Sequence, residues 1–244
     1  MVDVFANDGW WFGFISGKNG EEYYVYFPTT ADNIAYPRHK MNKVLLLLLL
    51  CVFAIFTSSN SAPEPDPILD INGKILQTHT TYFVVPVNHK YGGISLETTG
   101  NEKCQLGVVQ EIYDVHGGSV ALLPLNPKEG VIRVSTDLNI AIFSTHGCGD
   151  QSTVWQLETY DSKTGKYFIK DGGVEGNPGP KTIRNWFKID KYGLGYKFVY
   201  CPSVCSKCKV ICKDVGIYMK NGQRRLALSN VPLVFNFKKE EFTS

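Results

Sequence analysis

The sequence predicts an all-β fold built as one disulfide-stapled domain, and three observations carry that expectation. Beyond residue 67, roughly a dozen short apolar or alternating segments follow one another, separated by Gly, Asn or Pro turns. No segment of this stretch sustains the 3.6-residue apolar period of an amphipathic helix. Six of the seven cysteines, Cys104, Cys148, Cys201, Cys205, Cys208 and Cys212, fall within it, and an even set suits a disulfide framework in an oxidising compartment. With 244 residues, 43% of them hydrophobic, the chain has enough material for one domain-sized core and a small second unit.

Residues 1–40 form the first element. Asp3–Ala6 reads as a strand, Asn7-Asp8-Gly9 as a turn, Trp10–Ile15 as a second strand and Glu22–Pro28 as a third. The run Val2-Asp3, Asn7-Asp8-Gly9-Trp10-Trp11, Gly13 and Ile15, followed by Tyr24-Val25-Tyr26-Phe27, resembles the opening of the plant Agenet/Tudor-like module. That family reads modified histones through aromatic cages that attract methyl-lysine by cation–π contact. The segment is about half the length such a barrel needs. It is read as a truncated, non-functional fragment, with Trp10, Trp11 and Tyr24 as strand residues rather than cage walls.

Residues 41–61 form the second element. Val44 to Phe56 is apolar throughout, with Leu45 to Leu50 unbroken. Its length, roughly thirteen residues, falls short of the ~20 that a bilayer-spanning helix needs. It has instead the form of a signal-peptide core, with Lys43 before it and small polar residues, Thr57 to Ser61, after it. Ser59 and Ser61 stand at the −3 and −1 positions of a cut before Ala62, and Pro63, Pro65 and Pro67 keep that site extended. The expectation is a start at Met41, cleavage before Ala62, and a secreted or vacuolar product with no stable membrane insertion.

Residues 62–244 form the mature domain. Strands are expected at 82–87, 94–98, 107–111, 120–123, 132–135, 140–143, 153–159, 167–170, 186–190, 196–200, 216–220, 224–228 and 234–237. A β-trefoil, twelve strands in three pseudo-repeats, suits these roughly a dozen segments, though spacing alone leaves the topology open.

Named motifs narrow the choice. Ile68-Leu69-Asp70-Ile71-Asn72-Gly73-Lys74-Ile75-Leu76 precedes Tyr82-Phe83-Val84; Gly100-Asn101-Glu102-Lys103-Cys104 precedes Val108-Val109-Gln110. Ser152-Thr153-Val154-Trp155, Tyr196-Lys197-Phe198-Val199-Tyr200-Cys201-Pro202 and Arg224-Arg225-Leu226-Ala227-Leu228-Ser229 follow in order. Residues 68–239 thereby resemble the plant Kunitz-type (soybean trypsin inhibitor-like) protease inhibitors. Asn126-Pro127-Lys128-Glu129, Val134-Ser135-Thr136-Asp137-Leu138-Asn139 and Gly176-Asn177-Pro178-Gly179-Pro180 place the resemblance nearest the miraculin-like branch.

The resemblance implies a β-trefoil and a secreted inhibitor of trypsin- or subtilisin-like serine proteases, acting in plant defence as a monomer without a cofactor. It also implies the bridges Cys104–Cys148, Cys201–Cys212 and Cys205–Cys208. The spacing of the last four cysteines leaves three pairings open, and a four-thiolate zinc site or a redox Cys205/Cys208 pair are the rival readings. The implied binding loop is Pro124, Leu125, Asn126, Pro127, Lys128 and Glu129, which enters a protease as a substrate does. Counted from Cys104, the specificity residue falls at Lys128; counted from the strands 132–139, it falls at Asn126, with Pro127 after it. The family's loop-supporting Asn corresponds to Thr78.

Other classes find little support. A net charge of +2 with scattered Lys and Arg argues against nucleic acid as a partner. No Gly-x-Ser-x-Gly, phosphate loop or His-Glu-x-x-His occurs, His79, His89, His116 and His146 are dispersed, and no catalytic site is expected. A non-inhibitory, miraculin-like binding or storage protein for a carbohydrate or protein partner is the alternative.

Overall fold

The computed structural model describes residues 2–6, 9–28, 31–37, 64–100, 104–113, 115–143 and 151–241. The expected signal segment 41–61, Cys148 and His146 lie outside them. The chain divides into two compact units, Met1–Pro63 and Glu64–Ser244. Among the described residues no α-helix occurs, and no helix is long and apolar enough to cross a membrane.

The first unit is a four-stranded antiparallel sheet in the order β1 (Val2–Ala6), β2 (Gly9–Asn19), β3 (Glu22–Phe27), β4 (Asp32–Pro37). The sequence predicts only three of these. β4 adds to β3 from Phe27↔Asp32 to Glu22↔Pro37. Pro37 ends that edge strand, where a missing N–H costs no ladder bond. Val25 and Phe27 are buried on β3.

Among the described residues, the second unit carries twelve strands. They are β5 (Thr81–Pro86), β6 (Ile94–Thr98), β7 (Leu106–Gln110), β8 (Ser119–Pro124), β9 (Leu138–Phe143) and β10 (Gln156–Leu157). β11 (Ile169–Lys170), β12 (Lys188–Tyr192), β13 (Gly195–Tyr200), β14 (Lys213–Lys220), β15 (Gln223–Ser229) and β16 (Phe235–Lys239) follow. Their hydrogen-bonded order is β10-β11-β7-β15-β14-β13-β16-β5-β8-β9, with β12 on β13 and β6 on β7. The two ends of this order meet. Ala141 of β9 bridges Val154, just ahead of β10, and the Trp155 N–H donates to the Ile140 carbonyl at 2.8 Å. The sheet therefore closes on itself and leaves no long free edge. This closed, hairpin-rich barrel is the β-trefoil architecture.

Alternation explains the strands. β5 and β13 each bury every second residue, as a barrel wall with one inward face requires. The β14–β15 hairpin turns on Asn221 (φ 52°) and Gly222 (φ 81°), the pair of positive φ values that a type I′ turn demands. The inward residues include Trp155, Phe187, Phe198, Phe235 and Phe237, all fully buried. Trp155 meets Phe187 and Phe198 edge-on, at centroid distances of 5.8 and 5.1 Å, the arrangement that aromatic quadrupoles favour.

Two expected strands are corrected. Residues 132–135 do not form one. Ile132 exchanges backbone bonds with Ile68 and Leu76, and Ser135 turns the chain with φ 59°, so the segment is shared between neighbours. Residues 153–159 yield only the two residues of β10 and the bridge at Val154.

Candidate functional site

The segment joining β8 to β9 is the candidate site. Its base is set by the β8–β9 ladder, whose last pairs are Leu123↔Asn139 and Pro124↔Leu138. Immediately above, the Leu125 N–H donates to the Asp137 carbonyl at 2.9 Å, so the segment is pinched shut at its root.

The two halves of the segment differ. The return half is sewn down along its length. Val131 bridges Gln77, Ile132 is buried, and the Val134 N–H donates to the Asp66 carbonyl at 3.0 Å. Arg133 pairs with Glu64 at 2.7 Å, and the Ser135 N–H reaches the Ile189 carbonyl at 2.9 Å. The outgoing half is exposed from Leu125 to Lys128. Asn126 (φ −114°, ψ 89°) leads into a single 3₁₀ turn, Pro127–Glu129, which Gly130 ends in the left-handed region at φ 69°. The Gly130 N–H donates back to the Pro127 carbonyl at 3.2 Å, and the Gly130 carbonyl accepts the Thr78 N–H at 3.0 Å. Proline at the start of the turn and glycine at its end are the residues such a turn selects.

The expected loop residues therefore lie together, with Pro124 on the barrel, Leu125 exposed at the root, and Asn126, Pro127, Lys128 and Glu129 forming the tip. Asn126, Pro127 and Lys128 are exposed, and among the described residues no hydrogen bond or ion pair holds the Lys128 ammonium. Thr78 supports the loop through its backbone N–H.

Beneath the root lies a polar cluster that sequence reasoning missed. The Asp137 carboxylate is buried. It accepts the Ser203 N–H at 3.1 and 3.2 Å and the Ser203 hydroxyl, and it faces the Lys188 ammonium at 3.8 Å. Lys188 also donates to the Ser203 hydroxyl at 3.1 Å. The hydroxyl thus sits between a carboxylate and its paired cation. Only the run around Asp137 could have hinted at this, because its partners are far along the chain.

Ser203 opens a cysteine-braced segment. Disulfides join Cys201 to Cys212 and Cys205 to Cys208, with Cα separations of 4.3 and 5.4 Å. These four sulfurs are therefore closed to zinc. Cys104 is also disulfide-bonded. Among the described residues no group of His, Cys, Asp or Glu could hold a metal ion.

Comparison with known proteins places these features in a family context. Residues 68–239 match the family model of legume Kunitz trypsin and protease inhibitors. The chain is 48% identical to miraculin of Synsepalum dulcificum over 205 residues, covering 80% of this chain and 92% of that one. It is 42% identical to Kunitz trypsin inhibitor 5 of Arabidopsis thaliana over 195 residues, covering 80% and 96%. Among solved structures, the potato Kunitz-type cysteine protease inhibitor PCPI-3 superposes with a TM-score of 0.66 at 33% identity, over 74% of this chain and all of that one. Soybean trypsin inhibitor in complex with porcine pancreatic trypsin superposes with a TM-score of 0.59 at 27% identity, over 72% and 100%.

Proposed function

We propose that this chain, which belongs to the legume Kunitz family of trypsin and protease inhibitors, inhibits serine proteases by inserting the Asn126–Glu129 tip into the protease as a substrate would, with Lys128 as the specificity residue. The observation that carries this reading is the exposed, unpaired Lys128 on a short tip anchored at both ends. A tip whose ends are fixed loses little conformational entropy on docking. A basic side chain suits the acidic pocket floor of a trypsin-like enzyme, so trypsin-like rather than subtilisin-like targets are expected first.

The same geometry sets the strength. A substrate-like approach needs extended backbone around the bond after Lys128. The Gly130-to-Pro127 hydrogen bond that closes the 3₁₀ turn has to open on docking. That opening opposes binding, and weak to moderate inhibition is the expected result.

The rest of the reading follows from chemistry. The leucine-rich run 44–56 serves as a signal peptide, with cleavage before Ala62, and the disulfides suit the oxidising secretory route. The product is a secreted or vacuolar monomer acting in plant defence, and residues 1–40 are a truncated fragment without a role in inhibition. It is not an enzyme. The Ser203 hydroxyl donates to a carboxylate that is already paired with Lys188, which leaves no free base to activate it.

The test is trypsin inhibition by protein produced from the full chain. Lys128→Ala is expected to raise the inhibition constant roughly 100-fold, the cost of removing an interface hot spot. Unchanged inhibition in that variant would remove Lys128 from the site, and Asn126→Ala would then decide the other register. The 48% identity to miraculin favours a second reading, a non-inhibitory binding or storage protein. Flat protease assays beside specific binding on a glycan array would establish it.

A further inference from the structure

We propose that Asp137 is a positioning residue for the binding loop: its carboxylate, gripped by Ser203 and Lys188, fixes the peptide whose carbonyl closes the loop onto the Leu125 N–H. This rests on the inhibitory reading above, and it names the device that holds that loop in shape.

The clamp extends from the root of the loop inward. The Leu125-to-Asp137 bond is the first closure above the β8–β9 ladder, so it sets the angle at which the tip leaves the barrel. Its acceptor is useful only if the Asp137 peptide stays still. Phe187 exchanges both backbone bonds with the next residue, Leu138, at 2.9 Å each. The Asp137 side chain is then clamped by one Ser203 N–H, shared between its two oxygens, and by the Ser203 hydroxyl, with Lys188 completing the cluster. A polar side chain buried to this degree is held in place by the donors gathered around it.

The far end of the clamp is covalently fixed. Ser203 is separated from Cys201 by the buried Pro202, and Cys201 is bonded to Cys212. Among the described residues the outgoing half of the loop has no disulfide of its own. It takes its rigidity through Asp137 from the cystine-braced segment next door. At the far side of the tip, Thr78 adds a main-chain bond to the Gly130 carbonyl.

The experiment compares Asp137→Asn and Ser203→Ala with Val215→Ala, which thins the buried core at β14 without removing a member of the clamp. Residue-resolved hydrogen exchange on protein from the full chain should show the Leu125 amide exchanging roughly tenfold faster in the first two variants. The amides of β8 and β9 should change no more than in Val215→Ala. Ser203→Thr keeps the hydroxyl and should restore protection. With trypsin, the first two variants should be cleaved after Lys128 more readily and inhibit about tenfold less, while Val215→Ala inhibits like the parent. Equal loss of Leu125 protection in Val215→Ala would overturn the clamp. Normal inhibition despite a freed Leu125 amide would overturn its role in positioning. A parent protein that does not inhibit trypsin would defeat the inhibitory reading alone, because the exchange measurement needs no protease.

Discussion

Two buried aspartates, at two regions of the barrel, meet different surroundings. Asp137, beneath the loop root, is 6% exposed, and Asp171, beside β11, is 2% exposed. Asp137 accepts one N–H, shared between its two oxygens, and a hydroxyl from Ser203, with the Lys188 ammonium nearby. The Asp171 carboxylate takes one side-chain hydrogen bond, from the Gln151 amide at 3.0 Å, with Lys170 acting only at a distance. Burial therefore dominates there and pushes the Asp171 pKa up to about 6. Near-equal burial has opposite meanings in the two places. Donors converging on Asp137 make it a fixed anchor, whereas burial leaves Asp171 a charge the fold tolerates poorly.

That contrast breaks if the anchor proves dispensable. Asp137→Ala strips the acceptor from Ser203 and leaves Lys188 beside an empty site, and it is expected to cost about 3 kcal/mol. Urea unfolding at pH 7 measures it. A loss below about 1 kcal/mol would mean that the cluster is decoration on a stable barrel.

Asp171→Asn should act in the other direction and with pH dependence. Its folded pKa is raised, so the folded protein binds the proton more tightly than the unfolded chain, and stability falls as pH rises toward 6. Replacing the carboxyl with an amide removes that penalty. The variant should gain about 2 kcal/mol at pH 7, or about 6 °C in melting temperature, and the gain should fade to nothing near pH 4. A pH-independent gain would point to packing rather than charge.

Much of the barrel was legible because local rules coincide with the global one. Alternation marks β5 and β13, and Asn221-Gly222 marks the hairpin between β14 and β15. The loop at 124–129 was implied by the family resemblance, and those residues do lie together between β8 and β9. Legibility ended where residues distant in sequence share one structure. Residues 132–135 have a strand's composition, yet their bonds go to the chain before β5. β4 was missed because Asp32–Pro37 carries little apolar signal and forms by pairing with β3. The clamp on Asp137 was invisible for the same reason: Ser203 lies 66 residues away, and neither residue is unusual alone. The pairing of the four clustered cysteines likewise depends on how the segment folds back, which spacing leaves open.

A third aspartate sharpens the comparison through the smallest expected effect. Asp161 lies at the surface, where the Lys220 ammonium contacts it at 2.7 Å and the Lys163 N–H caps it at 2.9 Å. The Lys220 hydrogen bond, first among its causes, holds its pKa down to about 2. A depressed pKa carries the opposite sign from that of Asp171: the contribution is present above the usual carboxylate range and disappears as pH falls toward 2. Solvent and salt screen such a pair, so Asp161→Asn should move the melting temperature at pH 7 by no more than about 1 °C, and by less still in 0.5 M salt, an ionic strength at which the screening length is down to roughly 4 Å. Melting curves of Asp161→Asn and Asp171→Asn, taken side by side from pH 3 to 7, make the comparison direct. If this partly exposed pair shifts the melt as far as the buried carboxyl does, burial is not what separates the aspartates of this barrel, and the weight placed on the donors around Asp137 goes with it.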